Sequence, residues 1–312
     1  MNIETTDNMQ NAFFAGVDWG TSRFRLWIMA ADGAILGHDH SSEGMVYCAE
    51  AGFKPVLEAH LAKIGAPASL PVLICGMAGA RQGWMEAPYL HTPTSLRDLF
   101  SSATVIADEQ RDIRILPGLA QVIIDAPNVM RGEETLLLGA VDEAFSGVVC
   151  MPGTHCKWVS LEAGIVNRFQ TFMTGELYSV MSQQSILVHA IEAGAIVTAG
   201  SAAFQSALRT ALSKPSMVLS QLFSVRAAQL LDFEMKSAGA AHLSGLLIGA
   251  EVAAMISAYG PQPIVTLVSA GPLCDLYAEA LNQAGVTFKL IDAEKAARTG
   301  LLRAASQLWG KG

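Results

Sequence analysis

Short apolar runs separated by polar turns open the chain. Residues 13–17 are apolar, Asp18-Trp19-Gly20-Thr21-Ser22 is a polar turn, and residues 23–28 form a second run with partial alternation. The pattern predicts two strands joined by a tight turn. Asp32-Gly33 is a hairpin signal, so residues 34–37 read as a third strand and the opening as a three-stranded meander. Residues 53–64 have helical spacing with Lys54, Glu58 and Lys63 on the polar side. Residues 71–75 read as a buried strand that runs into a glycine-rich loop at Gly76, Gly79 and Gly83. Residues 113–116 are a further strand, closed by Pro117-Gly118. Residues 132–145 then read as a helix whose first turn holds Glu133 and Glu134, where the positive end of the helix dipole favours carboxylates.

The next segment repeats the opening. Residues 148–151, the turn Pro152-Gly153-Thr154-His155, residues 156–161, the turn Ala163-Gly164 and residues 165–169 again give strand, Gly-Thr turn, strand, Gly hairpin, strand. Gly20-Thr21 corresponds to Gly153-Thr154. Helical stretches follow at 175–231 and 237–259, then a strand at 264–269, a turn at Gly271, a helix at 273–284, a strand at 286–291 and a last helix at 293–309. The expectation is a loose tail over 1–12 and two α/β lobes, 13–146 and 147–312, hinged near Ser146-Gly147. Ligands of such folds bind at strand ends.

The length of 312 residues agrees with two domains. Lys plus Arg number 20 and Asp plus Glu 28, a net charge of −8, so no basic footprint exists for nucleic acid or anionic lipid. Apolar residues make up 51% and charged ones 15%, so a membrane reading has to be tested. The longest apolar stretches, 191–212 and 240–259, are interrupted by Glu192, Gln205 and Arg209, and by His242 and Glu251. Being rich in Ala and Gly, they read as buried helices and not as spans; the small residues suit either a homodimer interface or a tightly packed core. The N-terminus carries Glu4 and Asp7 without a basic start or apolar stretch, unlike a secretory signal. Five scattered cysteines with no C-x-x-C pair argue against a disulfide framework or zinc site and fit a reducing cytoplasm.

The paired Gly-Thr turns carry the candidate chemistry. A tight turn presents backbone N–H groups, its glycine admits a ligand closely, and hydroxyls add donors, which together make an anion cradle. Two such cradles, at Gly20, Thr21 and Ser22 and at Gly153, Thr154 and His155, can hold the β- and γ-phosphates of a nucleotide; the bland alternative is two ordinary hairpins. Asp18 could hold Mg²⁺ through waters, and Lys157 could lie on a phosphoryl oxygen. No G-x-x-x-x-G-K-[ST] or G-x-G-x-x-G motif occurs. Phosphoryl transfer to an alcohol also needs a base. Glu133 and Glu134 are the candidates, and since neighbours on a helix point about 100° apart only one can aim inward; surface charges favoured by the dipole are the alternative. Arg131 is planar and bidentate, suited to a substrate carboxylate. Arg23 and Arg25 share one strand face. Trp84 and Tyr89 could stack on a sugar or belong to the core. Gly271 could admit a nucleotide base and ribose, or be a plain strand-to-helix turn.

Five segments resemble a known family: Phe14-Ala15-Gly16-Val17-Asp18-Trp19-Gly20-Thr21-Ser22, Asn128-Val129-Met130-Arg131-Gly132-Glu133-Glu134-Thr135, Met151-Pro152-Gly153-Thr154-His155-Cys156-Lys157-Trp158-Val159, Met173-Thr174-Gly175-Glu176-Leu177, and Leu243-Ser244-Gly245-Leu246-Leu247-Ile248-Gly249-Ala250-Glu251-Val252. They are similar to the 2-dehydro-3-deoxygalactonokinases, over residues 13–305. The resemblance implies an α/β fold of the two-lobed actin-like ATPase (ribonuclease H-like) type, each lobe opening on a βββ meander. It implies a cytoplasmic enzyme that uses ATP and Mg²⁺ to phosphorylate the 6-hydroxyl of a sugar acid, 2-dehydro-3-deoxy-D-galactonate, in galactonate catabolism. Carried over, the first phosphate motif falls on 18–22, the second on 153–157 and the adenosine motif on 268–273. Helices 243–258 and 298–308 would cross the hinge. Related sugar kinases place a catalytic Asp where Glu133 stands here, with Glu134 next. The second phosphate motif lacks the acidic residue often found there, leaving Asp18 as the metal partner. Arg131, Trp84 and Glu176 fall among the substrate residues. Two rivals remain: a kinase for another acid sugar such as 2-dehydro-3-deoxygluconate, which only pocket geometry separates, and a non-catalytic nucleotide-binding sensor on the same fold.

Overall fold

Strands β1 (Ala12–Trp19), β2 (Phe24–Ala30) and β3 (Ile35–Ser41) form the opening antiparallel meander, with Asp18 opposite Arg25 and Trp19 opposite Phe24. The computed structural model describes residues 9–260 and 264–310. The expected tail over 1–12 lies outside the described residues up to position 8, and Met9–Asn11 is a short 3₁₀ turn. The alternation in β1 and β2 is only partial because both faces are covered. Leu57 and Leu61 of helix α1 (Phe53–Lys63) share a core with Val17, Trp19 and Leu26, while Leu301 packs on Gly16 from the other side.

Strand β4 (Val72–Gly76) runs parallel to β1. Strand β5 (Tyr89–His91) joins a small separate sheet, and β6 (Thr94–Ser95) pairs elsewhere. With β7 (Thr104–Ile106) and β8 (Ile113–Ile115), the main sheet has the order β3-β2-β1-β4-β8-β7. Strands β9 (Gly118–Gln121) and β10 (Asn128–Met130) complete the small sheet, β10-β9-β5, and lead into helix α2 (Glu133–Ala140). The helix expected to reach residue 145 stops at Ala140, because Val141 is extended.

The second meander is β11 (Gly147–Met151), β12 (Cys156–Glu162) and β13 (Ile165–Phe172). It is followed by helices α3 (Thr174–Gln184), α4 (Ala202–Ser213) and α5 (Lys236–Tyr259), then by β14 (Val265–Ser269), α6 (Pro272–Gln283), β15 (Phe288–Asp292) and α7 (Ala293–Trp309). The strands order as β15-β14-β11-β12-β13, with β14 parallel to both β11 and β15. The apolar stretch at 191–212 is helical only from Ala202; Gly194, at φ 75°, lies in the irregular segment before it. Gly245 and Gly249 let α5 close on α4: a Cβ at 245 would lie 2.4 Å from the Phe204 carbonyl oxygen. The Ala-Gly bias is therefore used in helix packing inside this unit. Helix α5 is also long and apolar enough to cross a membrane, yet 72% of its most apolar window is buried in the protein.

Two compact units result. The first runs to Ser146 and includes Leu161–Arg168 and Ala293 onward; the second is Gly147–Ser160 and Phe169–Asp292. The simple division at 146/147 therefore needs two corrections. Ile165 and Val166, at the far end of the β12–β13 hairpin, pair with Ser95 and Thr94 of β6. Helix α7 packs on α2 and β1, where Arg303 donates to the Leu138 and Val141 carbonyls and Trp309 donates to Asp112 at 2.8 Å. The helices expected to cross a hinge each belong to one unit, α5 to the second and α7 to the first.

Candidate active site

In the first unit three chain segments meet beside the end of β1. Parallel pairing sets Gly76, the last residue of β4, level with Trp19. Its φ of 90° and its distance from the chain both require glycine, since a Cβ there would lie 2.6 Å from the Trp19 carbonyl oxygen and 3.5 Å from Asp18 Oδ1. Gly132, at φ 105°, comes against Gly76 in turn, where its Cβ would lie 3.4 Å from the Gly76 Cα. The start of α2 is thus held one glycine away from Asp18. Arg25 donates to Asp18 Oδ2 at 2.5 Å; burial pushes the Asp18 carboxyl above its ordinary value, and the guanidinium offsets only part of that rise.

The adjoining turn is closed by the Gly20 N–H donating to the Arg23 carbonyl at 2.8 Å, and Thr21, Ser22 and Arg23 are exposed. Its carbonyls are pinned from behind, with Gly20 accepting from Met45 N and Thr21 from Val46 N. This support was not legible in the sequence. Beside it, His60 is buried between Asp39 at 2.7 Å and Glu43 at 2.8 Å, and the Glu43 carbonyl accepts from Trp19 Nε1.

The two glutamates at the start of α2 differ sharply. Glu134 is fully buried: Oε2 accepts from Gly132 N at 2.7 Å and Oε1 from Thr135 Oγ1 at 3.2 Å. Burial, with help from Glu133, pushes its pKa up to about 8. A group so enclosed cannot reach a substrate hydroxyl, so as a catalytic candidate it is corrected to a support of the turn. Glu133 is half-buried, and its Oε2 accepts from Arg131 N at 3.1 Å. Arg131 lies over the Tyr89 ring at 4.3 Å and donates from Nη2 to the Ala87 carbonyl at 2.8 Å. Its Nε and Nη1 are buried without a partner among the described residues, a charged donor set that calls for an acceptor. Trp84 stacks on Phe53 at 6.0 Å and meets Trp19 edge-on at 6.2 Å, so it is an aromatic-cluster residue of the first unit and not a free stacking platform.

In the second unit the turn between β11 and β12 shows an open side. A Cβ on Gly153 would meet nothing within 4 Å, and Thr154 and His155 are exposed. From behind, Gly175 closes on the Gly153 carbonyl and Glu176 N donates to the Thr154 carbonyl at 3.0 Å. Glu176 Oε2 lies 2.5 Å from His155 Nε2, which places the Glu176 side chain on this turn of the second unit. Lys157 is 4% exposed and its Nζ donates to the His155 carbonyl at 3.0 Å, so its ammonium is tied into the turn itself. Beside the turn lies a cavity of about 290 Å³, lined by Gly153, Gly175, Ile196, Val197, Leu247, Ile248 and by Pro272 and Leu273 just after Gly271. Gly271, at φ 63°, begins α6 and leaves open space where a side chain would project. An apolar slot beside a turn of exposed donors suits a flat aromatic ring with a phosphate tail. Missed from sequence was the buried cluster beneath the turn: Glu251 accepts from Trp158 Nε1 at 2.8 Å, from Tyr277 Oη at 2.7 Å and from Thr174 Oγ1.

The repeated meander, each copy with a Gly-Thr turn at its first bend, defines a protein of the actin-like ATPase and sugar-kinase class. A solved activator of 2-hydroxyisocaproyl-CoA dehydratase from Clostridium difficile shares that fold at 14% identity and a TM-score of 0.50, over 94% of both chains. The particular family follows from closer likenesses. The profile of the 2-keto-3-deoxy-galactonokinase family matches residues 18–304, and the chain belongs to that family. A relative in Rhizobium meliloti (strain 1021), named a probable 2-dehydro-3-deoxygalactonokinase, is 49% identical over 299 residues, 95% of this chain and 98% of its own. The 2-dehydro-3-deoxygalactonokinase of Escherichia coli (strain K12) is 35% identical over 93% of this chain and 96% of its own. A crystal structure of a candidate 2-dehydro-3-deoxygalactonokinase from Sinorhizobium meliloti superposes with a TM-score of 0.92 at 49% identity, covering 96% of this chain and all of the other.

Proposed function

We propose that the protein transfers the γ-phosphoryl group of ATP to the 6-hydroxyl of 2-dehydro-3-deoxy-D-galactonate, giving 2-dehydro-3-deoxy-6-phosphogalactonate and ADP in the cytoplasm. The observation that carries this reading is the meeting of Asp18, Gly76 and Gly132, which sets a carboxylate suited to a metal next to the helix start that bears Glu133. In this reading Glu133 takes the proton from the attacking hydroxyl. Arg131 receives the substrate carboxylate, which would supply the acceptor that its buried nitrogens lack. The exposed turns at Gly20–Ser22 and Gly153–His155 cradle phosphates, and the apolar cavity takes the adenine. Mg²⁺ fits Asp18 because it keeps several waters and needs only one or two carboxylates; the described residues hold no three-ligand cluster for a tighter metal. The ion would neutralise charge on the transferring phosphoryl group, while Arg25 aims Asp18 and favours its ionised form against burial.

The test is ADP release over a panel of aldonic and 2-keto-3-deoxy acids. Turnover is expected with 2-dehydro-3-deoxy-D-galactonate well above that with its 2-dehydro-3-deoxygluconate epimer. The reverse order would reassign the substrate, and a protein that binds ATP but turns over no sugar acid would be a sensor.

A further inference from the structure

We propose that Glu251 is a positioning residue for nucleotide binding: from the core of the second unit it holds, through Thr174 and a Tyr277–Cys156 link, both the turn at Gly153 and the wall of the cavity beside it. The proposal rests on reading that turn and cavity as the nucleotide site.

Glu251 is 2% exposed, midway along α5. Its three donors come from three different elements: Trp158 from β12, Thr174 from the first residue of α3, and Tyr277 from α6. An indole N–H can only donate, so Glu251 Oε1 accepts from Trp158. Burial pushes the Glu251 carboxyl up, and the hydrogen bonds from Thr174, Trp158 and Tyr277 pull against that. The Tyr277 hydroxyl donates to the carboxyl at 2.7 Å, and Cys156 Sγ lies 2.9 Å from Tyr277 Oη and 3.3 Å from the Gly153 carbonyl oxygen, the two acceptors open to its thiol. Burial pushes the Cys156 thiol up to about 12, so it keeps its proton at neutral pH. The sulfur in turn accepts from the Gly153 N–H at 3.5 Å. Cys156 therefore links the Gly153 backbone to Tyr277, and Tyr277 links to Glu251. The second arm is shorter. Thr174 precedes Gly175, whose Cβ would lie 2.4 Å from the Gly153 carbonyl oxygen, so fixing Thr174 fixes what the turn rests on.

A buried carboxylate is a costly way to hold a core together, and well-packed apolar residues often do so as well or better. What separates Glu251 from a purely structural group is where its partners lie. Thr174, Tyr277 and Gly153 all line the same cavity. Loss of the carboxylate would therefore loosen the cradle and the slot together while leaving the substrate side in the first unit untouched.

Glu251→Gln keeps the volume but turns one acceptor into an N–H₂ donor facing other donors, and Tyr277→Phe removes only the linking hydroxyl. Each is expected to weaken binding of a non-hydrolysable ATP analogue, measured by titration calorimetry, by about tenfold, in line with loss of a hydrogen bond to a charged group. The KM for ATP should rise to match, with kcat and the sugar-acid KM within about twofold, and the double variant should be no weaker than Glu251→Gln alone. Folded single variants with wild-type nucleotide affinity would overturn the proposal. So would a fall in kcat with both KM values unmoved, the mark of a lower folded fraction. Gly153→Val separates the proposal from its premise, because that side chain would occupy only the open side of the turn. If Gly153→Val abolishes nucleotide binding while Glu251→Gln and Tyr277→Phe do not, the positioning role fails and the nucleotide site stands. If Gly153→Val binds normally, the site itself is wrong and the proposal falls with it.

Discussion

Two adjacent glutamates with the same chemistry meet different surroundings because neighbours on a helix point about 100° apart, one into the core and one to its edge. Glu134 spends both oxygens on Gly132 N and Thr135 Oγ1, whereas Glu133 stays half-buried beside Arg131. Glu133→Gln should lower kcat by about 10²–10⁴ while ATP affinity survives, as expected for loss of a general base; near-normal turnover in steady-state assays would remove Glu133 from that role. Glu134 makes a prediction about stability instead. Its ordinary value is 4.5 and its folded value about 8, so between these the native protein holds a proton that the unfolded chain has released. Stability then falls as pH rises through that window. Thermal unfolding followed from pH 5 to 8 should show the wild type losing stability relative to Glu134→Gln, and parallel curves would contradict the assignment.

At the scale of elements, much was legible in pattern alone. The two meanders, α1, β4 and the last helix announce themselves by period, hairpin glycines and flanking charges, because burial on a sheet or helix face imposes those spacings. The internal repeat was legible for the same reason, each copy bending at a Gly-Thr turn. What pattern could not reveal is which buried polar groups meet across long sequence separations. His60 and Glu43, or Glu251 and Trp158, lie far apart in the chain, and nothing local in either stretch signals the other. Nor could period show that the ammonium of Lys157, on β12, is tied back to its own turn. The loop behind the first cradle carries its own test. Burial pushes Asp39 up, but hydrogen bonds from Lys63, His60 and the His40 amide outweigh it and hold Asp39 at about 2. Its stabilising contribution is therefore present above the usual carboxylate range and lost as pH falls toward 2. Asp39→Asn should flatten the acid side of the unfolding profile below pH 4, measured by circular dichroism; an unchanged acid limb would show that the Asp39–His60 contact does not support the loop.

Over the whole molecule, the net charge of −8 gives no general attraction for two anionic substrates. In the proposed reading, binding comes from local groups: backbone donors at two turns, Arg131 with its unsatisfied nitrogens, and Mg²⁺ at Asp18. In that proposed reading the work divides by unit, with the base and sugar side on the first and the adenine slot on the second. The most direct measurement is the product itself. Incubation with ATP, Mg²⁺ and 2-dehydro-3-deoxy-D-galactonate, followed by ³¹P NMR with proton correlation, should give one phosphomonoester coupled to the C6 protons and one ADP per phosphoester. A phosphoester on another carbon, or ADP formed without any phosphoester, would contradict the account.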